Sequence, residues 1–394
     1  MRIKYIKKNF CGMLALLFIS VLGSNSRLLA QQMENNILRL DGIRIEKGES
    51  VRIEGPTTAT AFRFNDGRIV VGSGKNSKWS FDNGHTWVEG IAGPSARNTV
   101  DLGNGEIISI RPNSIRRPNG KFALKLERST DNWKTIKNEE AVLDIPNASI
   151  TITGDGDIKD GFIFHHGILK LDDGTLVGTM YGNYEGDNIY CDGYPPALNQ
   201  RKYRTIVVFS KDKGHTWGNH VLVAYDKMLG RGIQEDQPLG KYASATAIVS
   251  AVTQEGFREA DIVQAGNGDL LCVMRSGGRN GKTVKLFPTP LYCARSTDQG
   301  KSWLPPEQIA DRGVCPNLVK LTNGIIVCTY SRPGNWLIFS DDNGKTWKSA
   351  FQFGDTRDYN YIVETEPNEI QVYHEVKEGG QKLVYGTFFH VEKK

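Results

Sequence analysis

Four stretches of this 394-residue chain carry side chains that could do chemistry together. Glu259 opens the run Glu259-Ala260-Asp261-Ile262-Val263, and Arg275 follows sixteen residues later in Met274-Arg275-Ser276. Arg332 stands in Tyr330-Ser331-Arg332, and Tyr359 in Asp358-Tyr359-Asn360-Tyr361-Ile362-Val363. His165 and His166 form a pair inside Phe162 to Tyr181. A Tyr hydroxyl, with an ordinary pKa of about 10, is a poor nucleophile alone. A neighbouring carboxylate can take its proton. Guanidinium groups present planar, bidentate donors to a carboxylate, and His exchanges a proton near neutral pH. Each residue also has a plain structural reading. Glu259 can be a solvated strand-start charge, the arginines rim charges paired with acids, Tyr359 a half-buried strand aromatic, and His166 a strand histidine bonded to backbone.

The surrounding sequence says what must hold these residues. Short β-rich runs alternate with Gly/Asn/Asp turns, and no long helical periodicity appears, which reads as all-β. Strand pairs turn at Asn65-Asp66-Gly67, Gly103-Asn104-Gly105, Asp172-Asp173-Gly174, Asn267-Gly268-Asp269 and Thr322-Asn323-Gly324, where Asn-Gly and Asp-Gly provide the positive φ of tight hairpins. A phrase Ser-x-Asp-x-Gly-x-Thr-Trp, with Ser for Thr once, starts at Ser80, Ser210, Ser296 and Ser340, and a shortened copy is Ser129-Thr130-Asp131-Asn132-Trp133. Successive copies are 49, 81, 86 and 44 residues apart. A four-stranded propeller blade takes roughly 40–50 residues. The long intervals read as single blades with long loops, 182–202 and 226–240. Residues 359–373 and 382–391 supply a last blade, which Ile37 to Ile53 completes to close the ring and remove free edges. The expectation is a six-bladed β-propeller of four-stranded antiparallel blades, with seven as the alternative count. The Asp residues of the phrase serve turns, as short Asp side chains do. They lack the spacing and terminal Glu of a calcium loop.

These phrases resemble the Asp-boxes of the sialidase superfamily, and the stretches around Glu259, Arg275, Arg332 and Tyr359 come in that family's order. The resemblance implies a sialidase-type propeller in which Tyr359 is the nucleophile and Glu259 its general base. Arg275 and Arg332 would bind the substrate carboxylate, with His166 counted among the substrate contacts. Sialidases use Tyr because their substrate's anomeric carbon bears a carboxylate that would repel an anionic nucleophile. The chain departs from the family in its first blade. Glu54-Gly55-Pro56 stands where the family has Arg-Ile-Pro, with Arg52 nearby, and the segment Val70 to Trp79 lacks the family's acid/base Asp. Asp101, Asp261 and His166 are the candidates for the missing acid.

Composition bounds the setting. The first thirty residues carry five basic side chains and no acidic ones, and Cys11 to Gly23 is an apolar run. This reads as a cleaved signal peptide, 1–30, too short to span a bilayer, followed by one propeller domain, 31–394. The whole chain is +5, so removing the signal leaves net zero and no basic face for nucleic acid. Five cysteines at irregular spacing remain, which suggests buried thiols rather than a disulfide framework. No metal or cofactor motif is present. The chain is expected to be a monomeric, secreted or periplasmic exo-acting glycoside hydrolase that removes a terminal sialic acid or another acidic sugar. Two alternatives are a polysaccharide lyase using His166 and a Tyr on uronates, and a non-catalytic carbohydrate-binding propeller. Tyr181, Tyr184, Tyr190, Tyr194 and Tyr203 lie in or beside the first long loop, where they could stack on sugar rings.

Overall fold

The computed structural model describes residues 36–56, 58–153, 156–191, 200–225, 255–277, 290–332, 334–355 and 359–394. The signal segment 1–30, the loop 226–240, Tyr194 and Asp358 lie outside them. The architecture is all-β and antiparallel within each meander. Three sheets are four-stranded meanders, beginning at Ala61–Arg63, Arg258–Gln264 and Val314–Lys320. An eight-stranded sheet holds two further meanders, beginning at Thr99–Gly103 and Ile163–Lys170. Their last strands join in parallel through Val142↔Thr216 and Leu143↔Trp217. In the five-stranded sheet Ile43–Ile53 pairs with Gln381–Lys393, so residues 37–53 complete the last sheet as their sequence suggested.

The sheets pack face to face in chain order. Ile108 and Leu124 meet Phe164 and Met180. Val177 and Val207 meet Ile262 and Met274, and Leu271 and Val273 meet Ile326 and Ile338. Val327 and Phe339 meet Ile362 and Val372. Tyr361 and Tyr373 meet Ile69 and Val71, and Phe64 and Trp79 meet Ile107 and Trp133. Each inner sheet is thus covered on both faces, which is why Leu176–Gly182, Leu270–Arg275 and Ile326–Ser331 are buried along their whole length. The outer strand Lys137–Leu143 keeps an exposed face.

The Asp-boxes are closed turns. At Ser210 the hydroxyl donates to Asp212 Oδ1 at 2.8 Å and accepts the Gly214 N–H at 2.8 Å. Asp212 also accepts the Thr216 N–H and hydroxyl at 2.9 and 2.7 Å. Lys213 and Gly214 are both left-handed, at φ 58° and 87°, a conformation Gly takes without penalty. The copy at Ser129 is not shortened. Trp133 occupies the Gly position at φ 65°, its N–H bonds Ser129 Oγ at 2.8 Å, and Thr135 takes the usual Thr role on Asp131. The Trp133 indole is fully buried, and that burial offsets the strain of a bulky left-handed residue.

The first strands of three consecutive sheets share one irregularity. Register slips between Phe164 and Ile168, between Arg258 and Asp261, and between Val314 and Asn317. Each bulge contains a left-handed residue: Gly167 at φ 68°, Glu259 at 47° and Cys315 at 54°. Bulges re-aim side chains, and here they bring Glu259 Oε1 to 4.0 Å from His165 Nε2 and Cys315 Sγ to 3.3 Å from His166 Nε2. Buried polar ties lock these strands together. Asp261 Oδ2 accepts Asn317 Nδ2 and the Leu318 N–H, both at 2.7 Å, and Asn317 Oδ1 accepts the Ile362 N–H at 2.9 Å.

Candidate active site

Six segments bring polar side chains to one place. Arg97 comes from the 3-10 turn Ala96–Asn98, ahead of Thr99–Gly103. His165 and Glu259 come from the bulged first strands. Arg275 ends Leu270–Arg275 and pairs across the hairpin with Arg258. Arg332 follows Ile326–Ser331 with a left-handed φ of 63°. Tyr359 immediately precedes the strand Tyr361–Glu366.

The charges form a connected chain. Arg275 Nη1 donates to Glu259 Oε2 at 2.5 Å and Nη2 to Glu255 Oε2 at 3.2 Å, while its Nε donates to the Gly277 carbonyl at 2.9 Å. Arg258 also pairs with Glu255. Glu259 Oε1 lies 4.0 Å from His165 Nε2, which accepts from Arg97 Nη1 at 3.3 Å. Two guanidinium groups lie against the Tyr359 ring, Arg97 at 4.8 Å and Arg332 at 5.0 Å from its centroid. Among the described residues Arg97 has no carboxylate within 4 Å, unlike Arg258 and Arg275.

These contacts set protonation states. Burial alone would raise the Glu259 carboxyl, but Arg275, His165 and Arg258 carry it well below the usual carboxylate range. The Tyr359 hydroxyl is pushed up to about 12 by burial and by the Glu259 charge, against the pull of Arg275 and Arg332. His165 is brought down to about 3 by burial, with Arg97, Arg275 and Arg258 adding to the effect and Glu259 opposing it. At neutral pH the site holds a carboxylate, a phenol and a neutral imidazole.

The structure therefore gathers Glu259, Arg275, Arg332 and Tyr359 into one cluster. His166 lies behind it, 1% exposed, stacked on Tyr361 and bonded through Nε2 to Cys315 Sγ at 3.3 Å. Its neighbour His165 faces Arg97 and Glu259 instead. Asp101 accepts the Asn65 and Gly103 N–H groups at 2.9 Å, and Asp261 is committed to the inter-strand ties. Glu54 points outward and pairs with Arg52 at 3.5 Å. The sequence did not single out Arg97, and it pointed to His166, whereas His165 is the member of the pair that faces Arg97 and Glu259. The His-His pair was a visible signal, whereas Arg97 sits in a short irregular segment with no motif. Tyr181 and Tyr203 are buried with their rings in edge contact, Tyr181 against His165. Among the described residues no group of His, Cys, Asp and Glu is arranged to hold a metal ion.

A family model described as a BNR repeat-like domain matches residues 128–372, more than half of the chain. No curated protein matches it. Among solved structures, a protein of unknown function from Dyadobacter fermentans DSM 18053 is similar with a TM-score of 0.60 at 18% identity, over 90% of this chain and 100% of that one. The Hadza microbial sialidase Hz136 is similar with a TM-score of 0.51 at 15% identity, over 86% of this chain and 66% of that one. At such identities the likeness is one of fold. The meanders are blades of a β-propeller, and the chain belongs to the BNR repeat-like domain family.

Proposed function

We propose that this chain is a six-bladed propeller glycoside hydrolase that removes a terminal acidic sugar, a sialic acid or a close relative, from a glycan. One observation supports this above the rest: Tyr359 lies against two guanidinium groups and close to the Glu259–Arg275 pair. Among the described residues the cluster holds the guanidinium groups of Arg97, Arg258, Arg275 and Arg332 with the carboxylates of Glu255 and Glu259. Guanidinium groups gathered in this way suit an anionic substrate. Arg97 supplies from the second blade the charge that the first blade lacks at Glu54.

Tyr359 Oη attacks the anomeric carbon and passes its proton to Glu259. At rest neither group is primed, since the phenol is raised and the carboxylate lowered. A sugar carboxylate that engages Arg275 loosens its hold on Glu259, restores basicity there and lets the proton move. Residues 1–30 act in this reading as a cleaved signal that exports the enzyme.

The test is hydrolysis of an aryl sialoside and a panel of acidic glycans by the wild type and Tyr359→Phe. The wild type is expected to release sugar, and the variant to bind but not turn over. Undiminished turnover by Tyr359→Phe refutes the mechanism. Binding without release by the wild type would leave a carbohydrate-binding propeller. The neutral His165 beside Arg97 favours a second reading, a lyase in which His165 abstracts a proton next to a uronate carboxylate. Its product would be unsaturated and absorb in the ultraviolet, as the product of hydrolysis does not.

A further inference from the structure

Hydrolysis also needs a proton for the departing glycosidic oxygen. The first-blade segment where that acid was sought is a tight turn, with Gly74 and Gly93 bonded to each other twice at 3.0 Å, and it carries no carboxylate. Resting on the glycosidase reading above, we propose that His165 protonates the leaving oxygen, and that the sugar's own carboxylate enables it by drawing Arg97 off the imidazole.

The hydrogen bonds carry the argument. A guanidinium only donates, so His165 Nε2 must accept from Arg97 Nη1 and the ring proton resides on Nδ1. Nδ1 is buried and has no partner among the described residues. A structural histidine normally satisfies both nitrogens, and a buried unpaired N–H needs an explanation. The groups facing the ring are Arg97 from the 3-10 turn and Glu259, Arg258 and Arg275 from the next hairpin. Around them stand Tyr181, Tyr359 and His166, at ring distances of 5.9, 6.3 and 4.4 Å. A carboxylate on Arg97 cancels that cation's repulsion and frees the Nε2 lone pair. Burial still opposes the charge, and the Glu259 carboxylate 4.0 Å away offsets it, so that Nε2 takes a proton from solvent and faces Glu259 as an ion pair. In the reaction Tyr359 Oη bonds the anomeric carbon while the bond to the leaving oxygen breaks. The electron pair goes to that oxygen, which takes the Nε2 proton, and the Tyr359 proton goes to Glu259. Water then displaces Tyr359, giving its proton to His165, and Glu259 returns the phenol proton.

The experiment compares kcat/KM of the wild type and His165→Gln on α2,3-sialyllactose and on 4-nitrophenyl α-sialoside, whose leaving group needs no proton. The variant is expected to lose about 10²–10⁴-fold on sialyllactose and little on the nitrophenyl glycoside. Equal losses on both overturn the inference while sparing the glycosidase reading. Failure of the wild type on both substrates sinks that reading and this inference with it. A second measurement needs no variant. Nitrogen NMR of the wild type should show one histidine pass from neutral to imidazolium when 2,3-dehydro-N-acetylneuraminic acid is added at neutral pH, and a ring that stays neutral overturns the proposal.

Discussion

Replacing Arg275 with Met tests whether the Glu259 charge depends on its partner. The Arg275 side chain is 2% exposed, Glu259 is 7% and Glu255 is fully buried. Glu255 keeps Arg258 after the replacement, whereas Glu259 keeps the neutral His165 at 4.0 Å and the more distant charge of Arg258. Breaking a buried pair from one side costs about 3–5 kcal/mol, because a charge is stranded out of water. Urea unfolding of Arg275→Met should show a loss of that order. Adding Glu259→Gln removes the stranded charge, so the double variant should recover part of the loss instead of adding to it. A pH arm follows by linkage. The folded Glu259 carboxyl lies below its ordinary 4.5, so its contribution is full above about pH 4.5 and is lost as pH falls through the folded value. In Arg275→Met the carboxyl rises, so the acid loss shrinks, and protonation of the stranded carboxylate relieves part of the variant's cost as pH falls. A cost below about 1 kcal/mol, or strict additivity in the double variant, refutes the reasoning.

Asp298→Ala removes the acceptor of three box bonds, from Ser296 Oγ at 2.7 Å and from Ser302 N and Oγ at 2.9 and 2.6 Å. It should cost about 1–3 kcal/mol of stability and leave turnover of the folded protein unchanged; a matching fall in kcat/KM would contradict a purely structural box. The described cysteines, Cys191, Cys272, Cys293, Cys315 and Cys328, are all buried thiols. Ellman's reagent should label them slowly in the native protein and fast in denaturant, and rapid native labelling would contradict their burial.

The fold was legible because its signals are local. A box needs only Ser, Asp, Gly and Thr at fixed offsets, and each such offset closes the same bonds, as at Ser80 and Ser340. The sixteen-residue interval from Glu259 to Arg275 likewise reports one hairpin, whose ends meet at 2.5 Å. Arg97 was not legible, since its turn meets Tyr359 only through the arrangement of several sheets, with the sheet that begins at Ala61–Arg63 packed between theirs. His165 was hidden by the bulge at Phe164–Ile168. Strand alternation decides which of two neighbours faces in, and an inserted residue breaks that alternation. Trp133 in the Gly place of its box reads as a deletion until its backbone is seen.

The pairing of Ile43–Ile53 with Gln381–Lys393 also has a kinetic meaning. Arg44 bonds Glu392 across 348 positions of chain. Closing so long a loop costs about 5 kcal/mol in chain entropy before any ladder bond repays it. As the chain is made from its N-terminus, Ile43–Ile53 emerges among the first strands and must wait as an open edge for one of the last. The ring is thus sealed late, and the barrier to assembly lies in that final meeting of ends. A circular permutant that keeps these two strands contiguous and opens the chain at an exposed hairpin, such as Asn267-Gly268, would keep the same set of blades and move that late meeting to Arg258–Gln264 and Leu270–Arg275.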